Sequence, residues 1–537
     1  MRPSSRAALW GLLGTAAVAA LLVSPVPGAP TASAGASSEP PSIVMIHMDD
    51  VSTDLVRTMP ELRRLAARSA RFRNAFVADS LCCTSRASTF TGQYPHNTGV
   101  RTNYTGPDPS HPVGGYAAFE KYGNLARSFN VALHGQAPVR YDTAIMGKYV
   151  NAFGPRRGVP PGWTTFEAVL ADGYQQYGYR MTKAVRDARG RRVLTTRRYG
   201  TRPQDYGTTV QERRALRYVR THERRTRPYY LQISTYAAHA RTSAPARPGD
   251  PQFVPAPRDL PGGTKPAGNC GRVACGSLDA GLLPGYGDRS ADNAAVRDDG
   301  TRVAWRGDKA LTPAVRATLT KRLRNRAQMV QAVDRMIGKV RRSVGPNTYV
   351  VITSDNGYRL GQLSMPNGKA TPYDADVRVP LIVSGPGVRP GTRDQVVSNV
   401  DLASTFEQIA GVAPRVRRDG RSFLDVLRDP AAVGGRVAFF EHRQPASVPG
   451  DPDKESSTRL VPSYVAARSA DALLVKLDLD PGPGVEVGWE FYRGLSRPGG
   501  YEATNTYTTA DPTVRWLQQR IAAFEGCSGV VCRTATL

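Results

Sequence analysis

The sequence predicts an α/β fold, a sheet with helical crossovers, joined to a smaller C-terminal α+β domain, and three observations carry that expectation. Apolar strand-like runs alternate with stretches of helical periodicity through most of the chain. Beyond Arg436 the alternation gives way to shorter β-like runs and a last helix. The composition, 40% hydrophobic and 22% charged over 537 residues, is that of a globular chain long enough for one large domain and a smaller one.

Taken in order, the chain opens with Arg2 and Arg6, an apolar run from Ala7 to about Val23, a Pro-rich segment and the small-residue site Ala32-Ser33-Ala34. Together these read as a secretory signal peptide over 1–34. The apolar run is at most about 17 residues against the ~20 a spanning helix needs, and no later stretch could span a bilayer. IVMIHM (43–48) is a strand ending in Asp49-Asp50, and PELRRLAARSARF (60–72) reads as an amphipathic helix with Leu62, Leu65, Ala66 and Ser69 on one side. YDTAIMGKYVN (141–151) and YYLQISTYAAH (229–239) contain two more strands. Residues 242–300, rich in Pro, Gly and Ala, form a long ordered excursion or lid. From Pro313 to Val340 apolar residues recur at steps of three and four, giving one long helix with Thr312 as N-cap and Pro313 just inside. TYVVIT (348–353) is a strand leading to Asp355-Asn356-Gly357, and VPLIVSGPG (379–387) a buried strand and turn. VAFFEH, YVAARS, ALLVKL, VGWEFYRG and the helix TVRWLQQRIAAFEG make up the small domain, 436–537, leaving 35–435 to the large one.

The formal charge is +27, and +25 once a leader holding two Arg and no acid is removed. That excess favours anionic partners. The Arg residues are spread along the chain, with no zinc-finger spacing and no RNA-recognition motif, so no specific nucleic acid is implied. For an exported protein, sulfated or phosphorylated polymers or a cell envelope fit better. Of the six cysteines, Cys270 with Cys275 and Cys527 with Cys532 can each close a small local loop. Cys82 and Cys83 remain, and a disulfide between sequence neighbours is strained.

Two strand-like runs end in hard oxygen donors, Asp49-Asp50 and Asp355-Asn356, and parallel sheets form sites at the carboxyl ends of strands. Such oxygens suit Ca2+ or Mg2+, whereas no His/Cys cluster at zinc spacing is present. Each of these pairs also has a plain reading as turn or cap residues. The third element is CCTSRASTFTG, in which a helix start favours anions and Arg86 lies one turn after Cys82. The residues describe an anion site beside a metal, with Cys82 or Cys83 at its focus.

These segments resemble formylglycine-dependent sulfatases of the alkaline phosphatase superfamily, with particular likeness to N-acetylglucosamine-6-sulfatase-like members, from about Ser42 to Cys532. The family signature C-x-P-S-R-x-x-x-x-T-G is matched by Cys82, Ser85, Arg86, Thr91 and Gly92, with Thr84 in the place of Pro. Other matching segments are Asp49-Asp50, MGKYVNAFG (146–154), AAHA (237–240), SDNGYRLGQ (354–362) followed by Gly368-Lys369, DVRVPLIVSGPG (376–387) and CSGVVC. The resemblance implies an alkaline phosphatase-like large mixed, mostly parallel sheet flanked by helices. It also implies a secreted sulfatase, extracellular or envelope-associated, acting on carbohydrate or aryl sulfate esters. Cys82 would be converted to formylglycine by the formylglycine-generating enzyme. A metal, Ca2+ rather than Mg2+, would be held by Asp49, Asp50, Asp355, Asn356 and an oxygen of the residue made from Cys82. In the mechanism so implied the hydrated aldehyde attacks sulfur with help from Asp355, and its second hydroxyl later expels sulfate. Lys148 and Lys369 neutralise sulfate oxygens, Arg86 anchors the site, and His239 binds the bridging oxygen or protonates the leaving group. Many sulfatases carry a His two residues after the first sulfate Lys, where this chain has Val150 followed by Asn151, a candidate sulfate contact. Cys83 is read as a small buried thiol, and His47, His96 and His134 as packing or turn residues. Two rival readings are a phosphodiesterase or phosphonate monoester hydrolase of the same superfamily, and a non-catalytic polyanion-binding relative in which Cys82 stays a thiol.

Overall fold

In the computed structural model, residues 39–263, 268–289, 292–307, 309–443, 461–480 and 486–537 are described, and the leader expected over 1–34 lies outside them. The strands in chain order are β1 (Ser42–Met48), β2 (Ala70–Phe76), β3 (Asp142–Lys148), β4 (Thr165–Val169), β5 (Arg180–Arg186) and β6 (Arg192–Arg198). Next come β7 (Tyr229–Ser234), β8 (Ala295–Arg297), β9 (Arg302–Val303), β10 (Thr348–Ser354), β11 (Arg359–Leu360) and β12 (Asn367–Gly368). The last are β13 (Leu381–Ser384), β14 (Gly391–Ser398), β15 (Ala438–His442), β16 (Ser463–Arg468), β17 (Leu473–Asp478) and β18 (Val487–Tyr492).

Among the described residues the large sheet has ten strands in the order β14-β2-β13-β10-β1-β7-β3-β4-β5-β6. Its centre, β10-β1-β7-β3-β4, is parallel, while β13 and β5 run antiparallel to their neighbours, so the sheet is mixed and mostly parallel as expected. β1 is buried at every position because both of its faces are covered. Ile43 and Met45 join a core with Phe90, Phe129 and Tyr230 on one face, whereas Val44 and Ile46 pack with Leu323, Val330 and Ile337 on the other. The second face is covered by the helix Pro313–Ser343, whose Thr312 side chain caps Val315 N at 3.3 Å.

One helix is shorter than its periodicity predicts. PELRRLAARSARF stays helical only as α1 (Pro60–Ala66), and its last residues enter β2. There burial alternates, Ala70 and Phe72 inside and Arg71 and Arg73 outside, a period of two that a run of mixed Ala and Arg conceals.

Among the described residues a six-stranded sheet, β15-β16-β17-β18-β8-β9, packs against the large one through Phe76, Phe440 and Tyr464. It recruits β8 and β9 from the end and the downstream flank of the 242–300 excursion, by pairing β8 with β18. Among its described residues the excursion otherwise contains short 3-10 turns and is stapled by Cys270–Cys275, while Cys527–Cys532 closes the turn after the last long helix, Pro512–Phe524. Among the described residues no helix is long and apolar enough to cross a membrane.

Candidate active site

Four adjacent parallel strands bring their carboxyl ends to one rim, and register decides what meets there. Met48 stands opposite Ser354, so Asp49-Asp50 and Asp355-Asn356 leave neighbouring strands side by side. His47 and Gly147 both stand opposite Ser234, which sets Lys148 on the same rim. After β7 the chain keeps pairing with β1, as Ala238 N donates to Asp49 O at 2.7 Å and Asp49 N to Ala237 O at 3.2 Å. That pairing delivers His239. Gly147 is required, because at φ +115° a Cβ would fall 1.9 Å from Ser234 O.

The helix α2 (Cys82–Thr91) aims its N-terminus at this rim and is buried at every residue. Asn399 clamps it: Nδ2 donates to Ser85 O at 2.9 Å and Thr89 Oγ1 at 3.1 Å, while Oδ1 accepts Ala78 N at 3.0 Å. Asn103 Oδ1 accepts Cys83 N at 2.8 Å, satisfying one of the donors that a helix start leaves without an intrahelical partner. Gly92, at φ 63°, ends the helix.

All the predicted site residues converge, and all are buried. Cys82 Sγ donates to Asp49 Oδ1 at 3.4 Å and accepts Lys369 Nζ at 3.0 Å. Lys369 also reaches Asp50 Oδ1 at 2.7 Å, and Lys148 reaches Asp49 Oδ2 at 2.7 Å. Asp355 accepts Arg86 Nε at 2.8 Å and Asp50 N at 3.1 Å. Asn356 Nδ2 donates to Asp50 Oδ1 at 2.6 Å. His239 Nδ1 bonds Ala240 O at 2.6 Å, and its Nε2 lies 3.6 Å from Asp50 Oδ2.

These distances sort the carboxylates. Burial pushes Asp355 up, but Arg86 and Lys148 outweigh it and hold the group well below the usual carboxylate range. Asp49 lacks the guanidinium, and burial with the nearby Asp355 charge pushes it up to about 6. Burial also holds the Cys82 thiol well above its ordinary value despite Lys148 and Lys369, so the unmodified residue stays protonated and is a weak nucleophile. Cys83 is pushed up to about 12 by burial, as an inert core thiol would be. His47, beneath the rim, is pushed down to about 3 by burial and by Arg86, and stays neutral.

The residues fit a hard divalent cation. Asp50 Oδ2 and Asn356 Oδ1 are buried without a hydrogen-bond partner among the described residues, a costly state for a carboxylate and an amide oxygen that a cation would relieve. Ligand atoms of Asp49, Asp50, Cys82 and His239 all lie within 4.8 Å of one another.

Several contributors were not singled out in the sequence. Arg326, in the middle of the helix Pro313–Ser343, donates from Nη2 to the carbonyl of Asp50, whose φ of 58° is unusual for a residue with a side chain. Ser234 accepts Arg86 Nη1 at 2.6 Å. Tyr174 and Tyr236 flank Lys148, with ring centroids 5.1 and 5.6 Å from Nζ, and Tyr174 packs on the His239 ring. For Tyr174 the dense run GYQQYGY was the available hint. Asn151, with Tyr104, Tyr174 and Tyr236, lines a small indentation beside Lys148.

The sulfatase family model matches residues 41–412. The chain belongs to the sulfatase family. It is accordingly a hydrolase of sulfuric esters. This sulfatase is 27% identical over 539 residues to the N-acetylglucosamine-6-sulfatase of Capra hircus, covering 93% of this chain and 86% of that one. The fold matches a solved structure in complex with its substrate D-glucosamine-2-N,6-O-disulfate, with a TM-score of 0.64, 18% identity, and coverage of 91% of this chain and 98% of that one. It also matches a phosphonate monoester hydrolase from Silicibacter pomeroyi, with a TM-score of 0.58, 20% identity, and coverage of 90% of this chain and 95% of that one.

Proposed function

We propose that this sulfatase works outside the cytosol on sulfate esters of carbohydrates, with glucosamine 6-sulfate units as the preferred class and aryl sulfates as simple substrates. The reading uses formylglycine made from Cys82 and one bound divalent cation. The observation that carries it is the setting of Cys82 at the start of α2, with Sγ 3.0 Å from Lys369 Nζ and 3.4 Å from Asp49 Oδ1 in a buried cluster that also holds two oxygens without a hydrogen bond among the described residues. The sulfated glucosamine class is supported by the Capra hircus relative and by the substrate of the similar solved structure. Two disulfides fit an oxidising compartment.

Asp49, Asp50, Asp355 and Asn356 would hold the cation, Ca2+ in preference to Mg2+, which when bound supplies Lewis-acid activation of a sulfate oxygen. Formylglycine at position 82, made by the formylglycine-generating enzyme, would supply an oxygen nucleophile able to expel sulfate afterwards, which a plain Ser or Cys cannot do. The chain's own groups do the rest. Lys148 and Lys369 bring two ammonium groups to where charge develops on sulfate oxygens. Arg86 keeps Asp355 ionised, a carboxylate able to hold the cation and to accept a hydrogen bond from the attacking group. His239 Nε2, facing the cluster, is the donor for the departing alcohol oxygen. Tyr174 and Tyr236 wall Lys148 in and exclude water from its ammonium group.

A phosphonate or phosphodiester hydrolase is the second reading, favoured by the likeness to the Silicibacter pomeroyi fold. The test is to produce the protein with the maturation enzyme, weigh the peptide carrying Cys82, and compare nitrophenyl sulfate and glucosamine 6-sulfate with nitrophenyl phosphodiesters and phosphonates. Aldehyde at position 82 with sulfate ester preference is expected. An unmodified thiol, or a strong preference for the phosphorus esters, would overturn the proposal.

A further inference from the structure

Away from Cys82, a groove of about 570 Å³ is lined by Arg197, Arg198, Arg202, Arg213, Arg214 and Arg217, with Tyr199, Gln204 and Asp205. Six arginines thus border a space whose lining includes a single carboxylate, Asp205. Arg214 is committed to the wall, since it pairs with Glu167 at 2.7 Å and donates to Tyr199 Oη at 2.9 Å. The other five are not within ion-pair distance of any carboxylate among the described residues.

Edge strands often carry cations to prevent pairing with other chains, and β6 is such an edge. That accounts for Arg197 and Arg198. It does not account for Arg202, in the turn after β6, nor for Arg213 and Arg217, one turn apart on the helix Gly207–His222, where like charges oppose helix formation. Cations gathered from three elements against their mutual repulsion are the mark of a surface that binds anions. All are arginines, whose planar forks match the oxygens of sulfate groups.

The groove's position relates it to the active site. Lys148 stands opposite Val169, Val169 opposite Met181, and Arg180, the residue before Met181, opposite Arg198. Arg198 therefore ends its strand on the same rim as Lys148, three strands away, about 14 Å at ordinary strand spacing. The helix that carries Arg213 and Arg217 is tied to that rim by Gln211, whose Nε2 donates to Ser234 O at 3.0 Å.

We propose that this groove is a second binding site for a sulfated glycan, holding sulfate groups further along the chain whose reacting unit enters at Cys82. The proposal rests on the carbohydrate reading given above. It favours a glycan over single-stranded nucleic acid because the groove lacks an exposed aromatic ring on which bases would stack. Its one aromatic ring, Tyr199, is buried, stacked on Tyr179 at 5.0 Å and covered by Arg197 at 5.2 Å.

The test compares Arg202→Ser/Arg213→Ser/Arg217→Ser with a charge-matched control, Arg63→Ser/Arg68→Ser/Arg341→Ser, at exposed positions elsewhere. Each set is made in the active protein and in Cys82→Ala, so that binding of a size-fractionated heparin oligosaccharide is read without turnover. The groove variant should bind about tenfold or more weakly. In the active protein its KM for sulfated oligosaccharide should rise to match, with kcat/KM for nitrophenyl sulfate unchanged and the control like wild type. Equal weakening by both sets, or by neither, would overturn the proposal, as would competition by single-stranded DNA of the same charge on equal terms with the oligosaccharide. Binding is measured on Cys82→Ala, so failure of the sulfatase reading leaves this arm readable.

Discussion

Gly147→Ala should cripple the enzyme without altering any charged group of the site. At φ +115° the added Cβ would sit 1.9 Å from Ser234 O and 2.3 Å from Gln211 Nε2. Carbon-oxygen contacts ordinarily stay near 3.3 Å or beyond, so β3 and β7 must part by about 1.4 Å at their carboxyl ends. The Gln211 bond to Ser234 O at 3.0 Å is lost as well. Lys148, the next residue, then moves off Asp49, which it meets at 2.7 Å, and Arg86 is pulled because it bonds both Lys148 O and Ser234 Oγ. A displacement of about 1 Å costs about a hundredfold in rate, so kcat/KM for nitrophenyl sulfate should fall about a hundredfold or more. Backbone strain and overpacking, each about 1–3 kcal/mol, put the stability loss at about 2–6 kcal/mol, measurable by urea unfolding. Gly135→Ala, at a helix end, is the control, because a Cβ there meets nothing within 4 Å, so it should leave kcat/KM unchanged and raise stability by at most about 1 kcal/mol. A Gly147→Ala enzyme with the wild-type unfolding midpoint and wild-type kcat/KM would refute this reasoning.

Cys82→Ala should abolish turnover while Cys83→Ala keeps most of it. Equal loss from both would shift the modified position. Thr84 Oγ1 is buried without a hydrogen-bond partner among the described residues, so the isosteric Thr84→Val should raise stability by about 1 kcal/mol, and a decrease on urea unfolding would mean the hydroxyl is satisfied after all. His96 supplies a pH dependence. Burial opposes its charge, but Glu441 at 2.7 Å and the Cys527 carbonyl overcome that and raise its pKa above 6.5. A raised pKa in the fold means its stabilisation is full below about pH 6.5 and is lost as pH rises through the folded value. The melting temperature gap between wild type and His96→Gln should therefore narrow from pH 6 to pH 9, and a widening gap would contradict the sign.

Some of this architecture is visible in single segments. IVMIHM and TYVVIT read as buried strands because both faces of β1 and β10 are covered and the local pattern needs no partner to interpret. The long helix was legible from Thr312 to Val340, since cap chemistry and an apolar stripe are local properties. The far end of α1 was not, because Ala and Arg are compatible with helix, and only pairing of Ala70 and Phe72 with Val383 and Leu381 makes that stretch a strand. Asn399 and Arg326 were illegible for the same kind of reason. The contacts that give them meaning, to Ser85 and to Asp50, join residues far apart in sequence.

Residue types and spacing alone specify the chemical inventory: an Asp-Asp and an Asp-Asn pair at strand ends, a Cys and an Arg one turn apart at a helix start, two cysteine pairs able to close local loops, and a strongly basic charge. Residue type and short spacing suffice for these, because donor chemistry, capping and turn preference act over a few residues. Tertiary structure decided how those groups differ from one another. Parallel pairing of Met48 with Ser354 made one site of Asp49-Asp50 and Asp355-Asn356, and the Arg86 guanidinium separated a firmly ionised Asp355 from an Asp49 pushed up to about 6. Burial and Coulomb interactions depend on distance in space, and here the deciding neighbours lie hundreds of residues apart along the chain.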